Sequence, residues 1–111
     1  MIRIDEPHIP AVIRRKLSEL EALCRKNYVR RLDVFGSALR DDFDPSNSDL
    51  DFIVDFRDDA PPGGLHGPYF TLLFDLKDLF GREIDLVEYV AVRNPYFRKE
   101  LDETRVPIYA E

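Results

Sequence analysis

Tryptophan is missing from this 111-residue chain, and cysteine and methionine occur once each. A lone cysteine excludes an internal disulfide, and Cys24 fits a reducing compartment; it falls on the apolar side of a predicted helix and reads as a buried structural thiol. Histidine is nearly absent too, and His8 and His66 have no metal-like spacing, so both read as surface residues. No apolar run approaches the roughly 20 residues that cross a bilayer. The start, Met1 to Pro7, lacks the basic-then-apolar pattern of a signal peptide, so a cytoplasmic protein is expected. Positive charge is also short: 22 acids face 16 bases, for a net charge of −6. Proteins that grip long nucleic acids neutralise phosphates with a basic face, so direct nucleic-acid binding is not expected here. A compact substrate delivered with Mg²⁺, such as a nucleoside triphosphate, suits the balance better.

The hydrophobic content of 44% is ordinary for a globular protein, and the length supports one domain over residues 1–111. Val12, Ile13, Leu17, Leu20, Leu23 and Cys24 recur at helical spacing, which predicts a helix from about Pro10 to residue 26 with Asn27 as its stop. Tyr28 to Phe35 reads as a strand, followed by a sharp Gly36-Ser37 turn. Asp41 to Ser48 is a loop, whose Asp41, Asp42 and Asp44 read as solvation rather than ligands. Asp49 to Phe56 is a second, central strand. Residues 57–68 carry Pro61-Pro62 and Gly63-Gly64 and read as a flexible loop near an active-site mouth. Tyr69, Leu72, Leu73, Leu76 and Phe80 make a helical stripe that Gly81 ends. Glu83 to Tyr89 is a third strand. Asn94 or Pro95 opens a last helix with Phe97, Leu101 and Tyr96 inward, and Val106 to Tyr109 is a short extended tail. The fold class is α+β, a small mixed sheet flanked by helices.

The chemistry concentrates in three acids. Residues i and i+2 of a strand share a face, so Asp49 and Asp51 point one way while Leu50, Phe52 and Val54 point into the core. Asp85 sits inside the apolar run Ile84 to Val87 of the next strand. Gathering carboxylates costs free energy unless a cation neutralises them or one takes up a proton. An all-oxygen donor set suits Mg²⁺, which shares its shell with substrate phosphates. Asp55 shares the face of Asp49 and Asp51 but lies farther along, and Glu83 would share that of Asp85; neither is counted among the ligands.

Phe35-Gly36-Ser37, Asp49-x-Asp51 and Asp85 together resemble the signature of the minimal nucleotidyltransferases of the polymerase-β-like superfamily, and the similarity extends to Asn94-Pro95-Tyr96-Phe97-Arg98 and Val106 to Tyr109. The interval from Ser37 to Asp49 is one residue longer than is usual there, in a loop where insertion is cheap. The resemblance implies a Mg²⁺-dependent nucleotidyltransferase using ATP. Asp49, Asp51 and Asp85 are its expected metal-binding and catalytic residues. Gly36 would let the backbone approach the phosphates, and Ser37 would hydrogen-bond them. Arg40 reads equally as a phosphate contact or a surface charge.

Such proteins commonly pair with a HEPN-domain ribonuclease toxin, and as antitoxins transfer AMP to a toxin hydroxyl, typically of tyrosine. That is the function the resemblance implies. Alternatives are a non-catalytic antitoxin or scaffold that neutralises the toxin by binding, and a small-molecule nucleotidyltransferase. Phe70 and Phe74 lie off the main stripe of their helix and read equally as a partner surface or as core.

Overall fold

The computed structural model describes residues 9–36, 44, 49–65 and 67–111. Two short helices, α1 (Ala11–Arg14) and α2 (Leu17–Lys26), lead into β1 (Val29–Phe35). There follow β2 (Leu50–Phe56), α3 (Pro68–Phe80), β3 (Ile84–Glu88), a 3-10 turn over Tyr89–Ala91, α4 (Pro95–Thr104) and β4 (Val106–Ala110). The strands form one mixed sheet in the order β3-β2-β1-β4, with β1 antiparallel to both β2 and β4 and β2 parallel to β3. This is the α+β architecture expected. Among the described residues no helix is long and apolar enough to cross a membrane.

Alternation along the strands sorts the side chains onto two faces. Leu32, Val34, Leu50, Phe52, Val54, Ile84 and Leu86 pack against α1, α2 and α3 in the main core, where the Phe52 and Phe80 rings stack at 5.8 Å. On the opposite face Ile53, Val92 and Leu101 form a smaller cluster under α4, with Phe35, Val87 and Tyr89 against it.

Four local expectations need correction. The first helix is broken, because Lys16 leaves helical geometry at φ −119° and ψ 21°; the offset still buries Ile13 on one side of the break and Leu20 and Cys24 on the other. Tyr28 is no strand residue but a turn with φ 62°, in the left-handed region that side chains avoid. Its ring lies under the Arg57 guanidinium, 5.5 Å from the centroid. Tyr89 falls just outside β3 and opens the 3-10 turn. The tail from Val106 is a fourth strand rather than a loose extension, and Pro107 is tolerated because β4 is an edge.

The ends of the helices behave as their sequence suggests. Asn27 stops α2 and is buried, donating to the Leu23 carbonyl at 2.9 Å and to Asp75 at 3.0 Å while accepting from the Thr71 hydroxyl at 2.6 Å. A buried amide so fully satisfied ties α2 to α3. Gly81 caps α3 at φ 61°. The Asn94 side chain accepts from the amides of Tyr96 and Phe97 and starts α4, with Pro95 in its first turn.

Beneath α4 the sheet carries a charge. Asp33, on the same face of β1 as Phe35, is fully buried. Arg31 Nε donates to its Oδ1 at 2.8 Å. Arg105, at the joint between α4 and β4, places Nε 3.1 Å from Oδ2, an ion pair that is off the hydrogen-bonding line and leaves Oδ2 without a hydrogen bond among the described residues. Burial pushes the Asp33 carboxyl upward, and the two guanidiniums pull it back toward the charged form. Arg105 also lies 3.9 Å from both Asp55 and Asp102. The Tyr89 ring sits between the Arg98 and Arg105 guanidiniums, 4.4 Å from each, and its hydroxyl donates to Asp102 at 2.8 Å.

Two expectations follow. Asp33→Ala should lower stability in chemical denaturation by about 3 kcal/mol, since it takes from Arg105 its buried counter-charge and leaves only the looser contacts to Asp55 and Asp102, and adding Arg105→Met should recover part of that loss. Burial also pushes the Cys24 thiol up to about 12, so the folded chain keeps a proton that the unfolded chain releases near its ordinary value. The Cys24 contribution is therefore complete at neutral pH and lost as pH rises toward 12; a Cys24→Ala variant should show a flatter decline in stability across that alkaline range.

Candidate active site

The sequence acids gather at one end of the sheet. Asp51, half-buried on β2, stands opposite Phe35 of β1 and opposite Asp85 of β3. Neighbouring strands run about 4.8 Å apart, and partners in register point to the same face, so Asp51 and Asp85 are side by side. Asp85 is exposed, and so is Asp49, which immediately precedes β2. Ile53, next on the same face, closes the floor under α4 and separates this acid edge from the Asp33 cluster.

Gly36 supports the edge from β1. Its φ is 70°, and a Cβ added there would run into the Asp51 carboxylate, meeting Oδ2 first and lying 3.2 Å from Cγ. Glycine is thus required twice, by its backbone conformation and by the carboxylate against it. The sequence suggested only a close approach to phosphate. Ser37 and Arg40, the other expected phosphate contacts, lie outside the described residues, as do Asp41, Asp42, His8 and His66.

The carboxylates do not form a ready-made cage. Among the described residues no group of three or more His, Cys, Asp or Glu side chains is close enough to hold a metal ion. Asp49 and Asp51 each already engage a neighbouring group. Their chemistry still suits a hard divalent cation, because the acid edge offers carboxylate oxygens only, on adjacent strands and beside a glycine that makes room for the Asp51 carboxylate.

Other candidates separate from the edge. Asp55 belongs to the Arg105 cluster, and Glu83 turns to Lys77 of α3 at 3.7 Å. The loop expected near the mouth, residues 57–68, starts instead at the far end of β2, where Arg57 lies roughly 20 Å from Asp51 at ~3.3 Å per residue. The helical spacing places Tyr69 only in the core stripe of α3. Its hydroxyl donates to the Leu86 carbonyl at 2.5 Å on the open side of β3, and burial together with the nearby Asp85 and Glu88 charges pushes its pKa upward. Phe97, half-exposed, sets its ring edge-on to Phe35 at 6.4 Å, and so reaches the residue opposite Asp51.

With this geometry in place, residues 18–108 match the model of the nucleotidyltransferase domain family, and the chain belongs to that family. It is a nucleotidyltransferase with the polymerase-β-like fold. A relative from Methanocaldococcus jannaschii, named "putative protein adenylyltransferase", is 32% identical over 97 residues, 80% of this chain and 94% of its own length. A solved structure of a "putative minimal nucleotidyltransferase" superposes with a TM-score of 0.70 at 26% identity, covering 87% of this chain and 93% of that one. The MntA-HepT toxin–antitoxin structure is similar in fold, with a TM-score of 0.59 at 16% identity, covering 86% and 71%.

Gly36→Ala tests the support of Asp51. It should cost roughly 1–2 kcal/mol of stability for the left-handed backbone alone. Nucleotidyl transfer should fall at least tenfold under conditions where the variant remains folded by circular dichroism.

Proposed function

We propose that this chain, as one minimal nucleotidyltransferase domain over residues 1–111, transfers AMP from ATP to a hydroxyl, typically of tyrosine, on a partner protein in the cytoplasm, and that the partner is a HEPN-domain toxin. The observation that carries the reading is the in-register pair Asp51 and Asp85 with Gly36 packed on the Asp51 carboxylate. The named activity of the archaeal relative supports protein adenylylation, and the toxin–antitoxin complex with this fold supports the partner.

Asp49, Asp51 and Asp85 would hold Mg²⁺. When bound, it would neutralise the phosphate oxygens and the leaving pyrophosphate. Like charges repel, so a bound cation would favour the closer approach of carboxylates that strand register already places together. The acceptor oxygen attacks the α-phosphorus of ATP, the bond to the β,γ-pyrophosphate breaks, and the hydroxyl proton passes to Asp85, an exposed carboxylate on the neighbouring strand. Gly36 leaves the backbone open to the triphosphate, and Ser37 and Arg40 would contact it from the turn. Orientation of the two reactants beside one another supplies much of the rate.

The test is transfer from α-labelled ATP in Mg²⁺ to the co-expressed toxin partner. Asp51→Asn and Asp85→Asn should each reduce labelling at least 100-fold, the scale of several kcal/mol of lost charge stabilisation, while the fold persists. If both variants still neutralise the toxin in cells and the wild-type chain labels nothing, neutralisation proceeds by binding alone.

A further inference from the structure

The acid edge and the turn at Gly36 account for a phosphate chain and leave the rest of a nucleotide unplaced. One exposed aromatic pair stands within reach. Tyr96 and Phe97, both expected inward from the sequence, occupy the first turn of α4 with relative exposures of 84% and 37%, so that Tyr96 points out to solvent instead. Exposed rings without a core function point to a ligand or partner. Two observations fix where Phe97 stands. Phe97 meets Phe35 edge-on at 6.4 Å, and Phe35 lies directly across from Asp51. With cross-strand side chains about 5 Å apart, the Phe97 ring is roughly 10 Å from the Asp51 carboxylate. The helix is also held at both ends: Asn94 locks the amides of Tyr96 and Phe97, and Arg105 ties the other end to Asp33.

We infer that Phe97, with Tyr96 beside it, is the seat on which the base of the incoming nucleoside triphosphate stacks. The inference rests on the nucleotidyl-transfer reading and adds a base subsite to it. Its separation from Asp51 is the interval that a ribose and α-phosphate span between a base and the site of attack. An aromatic face accepts any base, because every base has a π-surface, and stacking needs no hydrogen-bond readout. The seat therefore favours nucleotides over bare polyphosphate more than it selects one base over another. The Phe97 ring is pre-positioned by Phe35, and the Asn94 cap fixes the backbone that carries it, so little freedom is lost when a base arrives.

Calorimetric titration of the intact chain with ATP and with inorganic tripolyphosphate, each with Mg²⁺, separates the base from the phosphates. Phe97→Ala should weaken ATP about tenfold and leave tripolyphosphate unchanged. Tyr96→Ala, at a position too exposed to disturb folding, should weaken ATP severalfold with the same selectivity. GTP should lose affinity in parallel with ATP. Equal losses for ATP and tripolyphosphate in the Tyr96 variant would overturn the seat, since the residue would then only shape the phosphate site. Unchanged ATP affinity in both variants would also overturn it, and loss of toxin binding instead would assign the rings to the acceptor protein. If the wild-type chain bound neither probe, the nucleotidyl-transfer reading would fall and the seat with it; normal tripolyphosphate binding with unaltered ATP affinity sinks the seat alone.

Discussion

The second face of the sheet depends on one buried charge. Asp33 lies beneath α4 with no solvent contact, and two guanidiniums, from β1 and from the start of β4, hold it there. A lone carboxylate in that position would be intolerable, and a lone guanidinium hardly better. Together they fix the joint between α4 and β4, and Arg105 extends the arrangement to Tyr89, Asp55 and Asp102. Such pairs contribute less to net stability than to specifying a single arrangement. Here the arrangement specified is where α4 lies across the sheet, and hence where its first turn stands relative to Asp51.

The acid edge uses charge in the opposite way. Asp51 and Asp85, two like charges, are juxtaposed by strand register. The register is secure because a one-residue slip of β2 would turn Leu50, Phe52 and Val54 out of the main core. Apolar packing on one side of the sheet thus holds the carboxylates in place on the other. Gly36 adds the local condition, since a larger residue would displace the carboxylate that the register has positioned.

Legibility in the sequence followed the range of the interactions. The faces of β2, the stripe of α3, the cap at Gly81 and the stop at Asn27 rest on short-range periodicity and cap chemistry, and each was readable. The break at Lys16 and the left-handed Tyr28 were not, because tertiary packing overrode local preference there. β4 was legible only as an extended tail, since a short segment with a proline has no strand signal of its own; pairing with β1 confers it. For the site, the spacing of Gly36, Asp49, Asp51 and Asp85 was enough to nominate the acids. The contact of Gly36 with Asp51 and the approach of Phe97 to Phe35 arise from strand and helix placement that no spacing encodes. Asp33 left a clue, an acid between Leu32 and Val34, but its partner at Arg105 is remote in the chain.

The pairing of β1 with β4 has a temporal consequence. β1 is synthesised early, and its partner on that side is made only after the rest of the sheet, because Arg31 pairs with Ala110 and Leu32 with Tyr109. Contacts so distant in sequence slow folding, since the intervening chain must be ordered before they form. During translation β1 therefore presents an unpaired edge, and Asp33 waits there for Arg105. An aspartate that is costly to bury alone guards that edge against premature association, as inward-pointing charges do on vulnerable strands, until the last strand arrives to neutralise it.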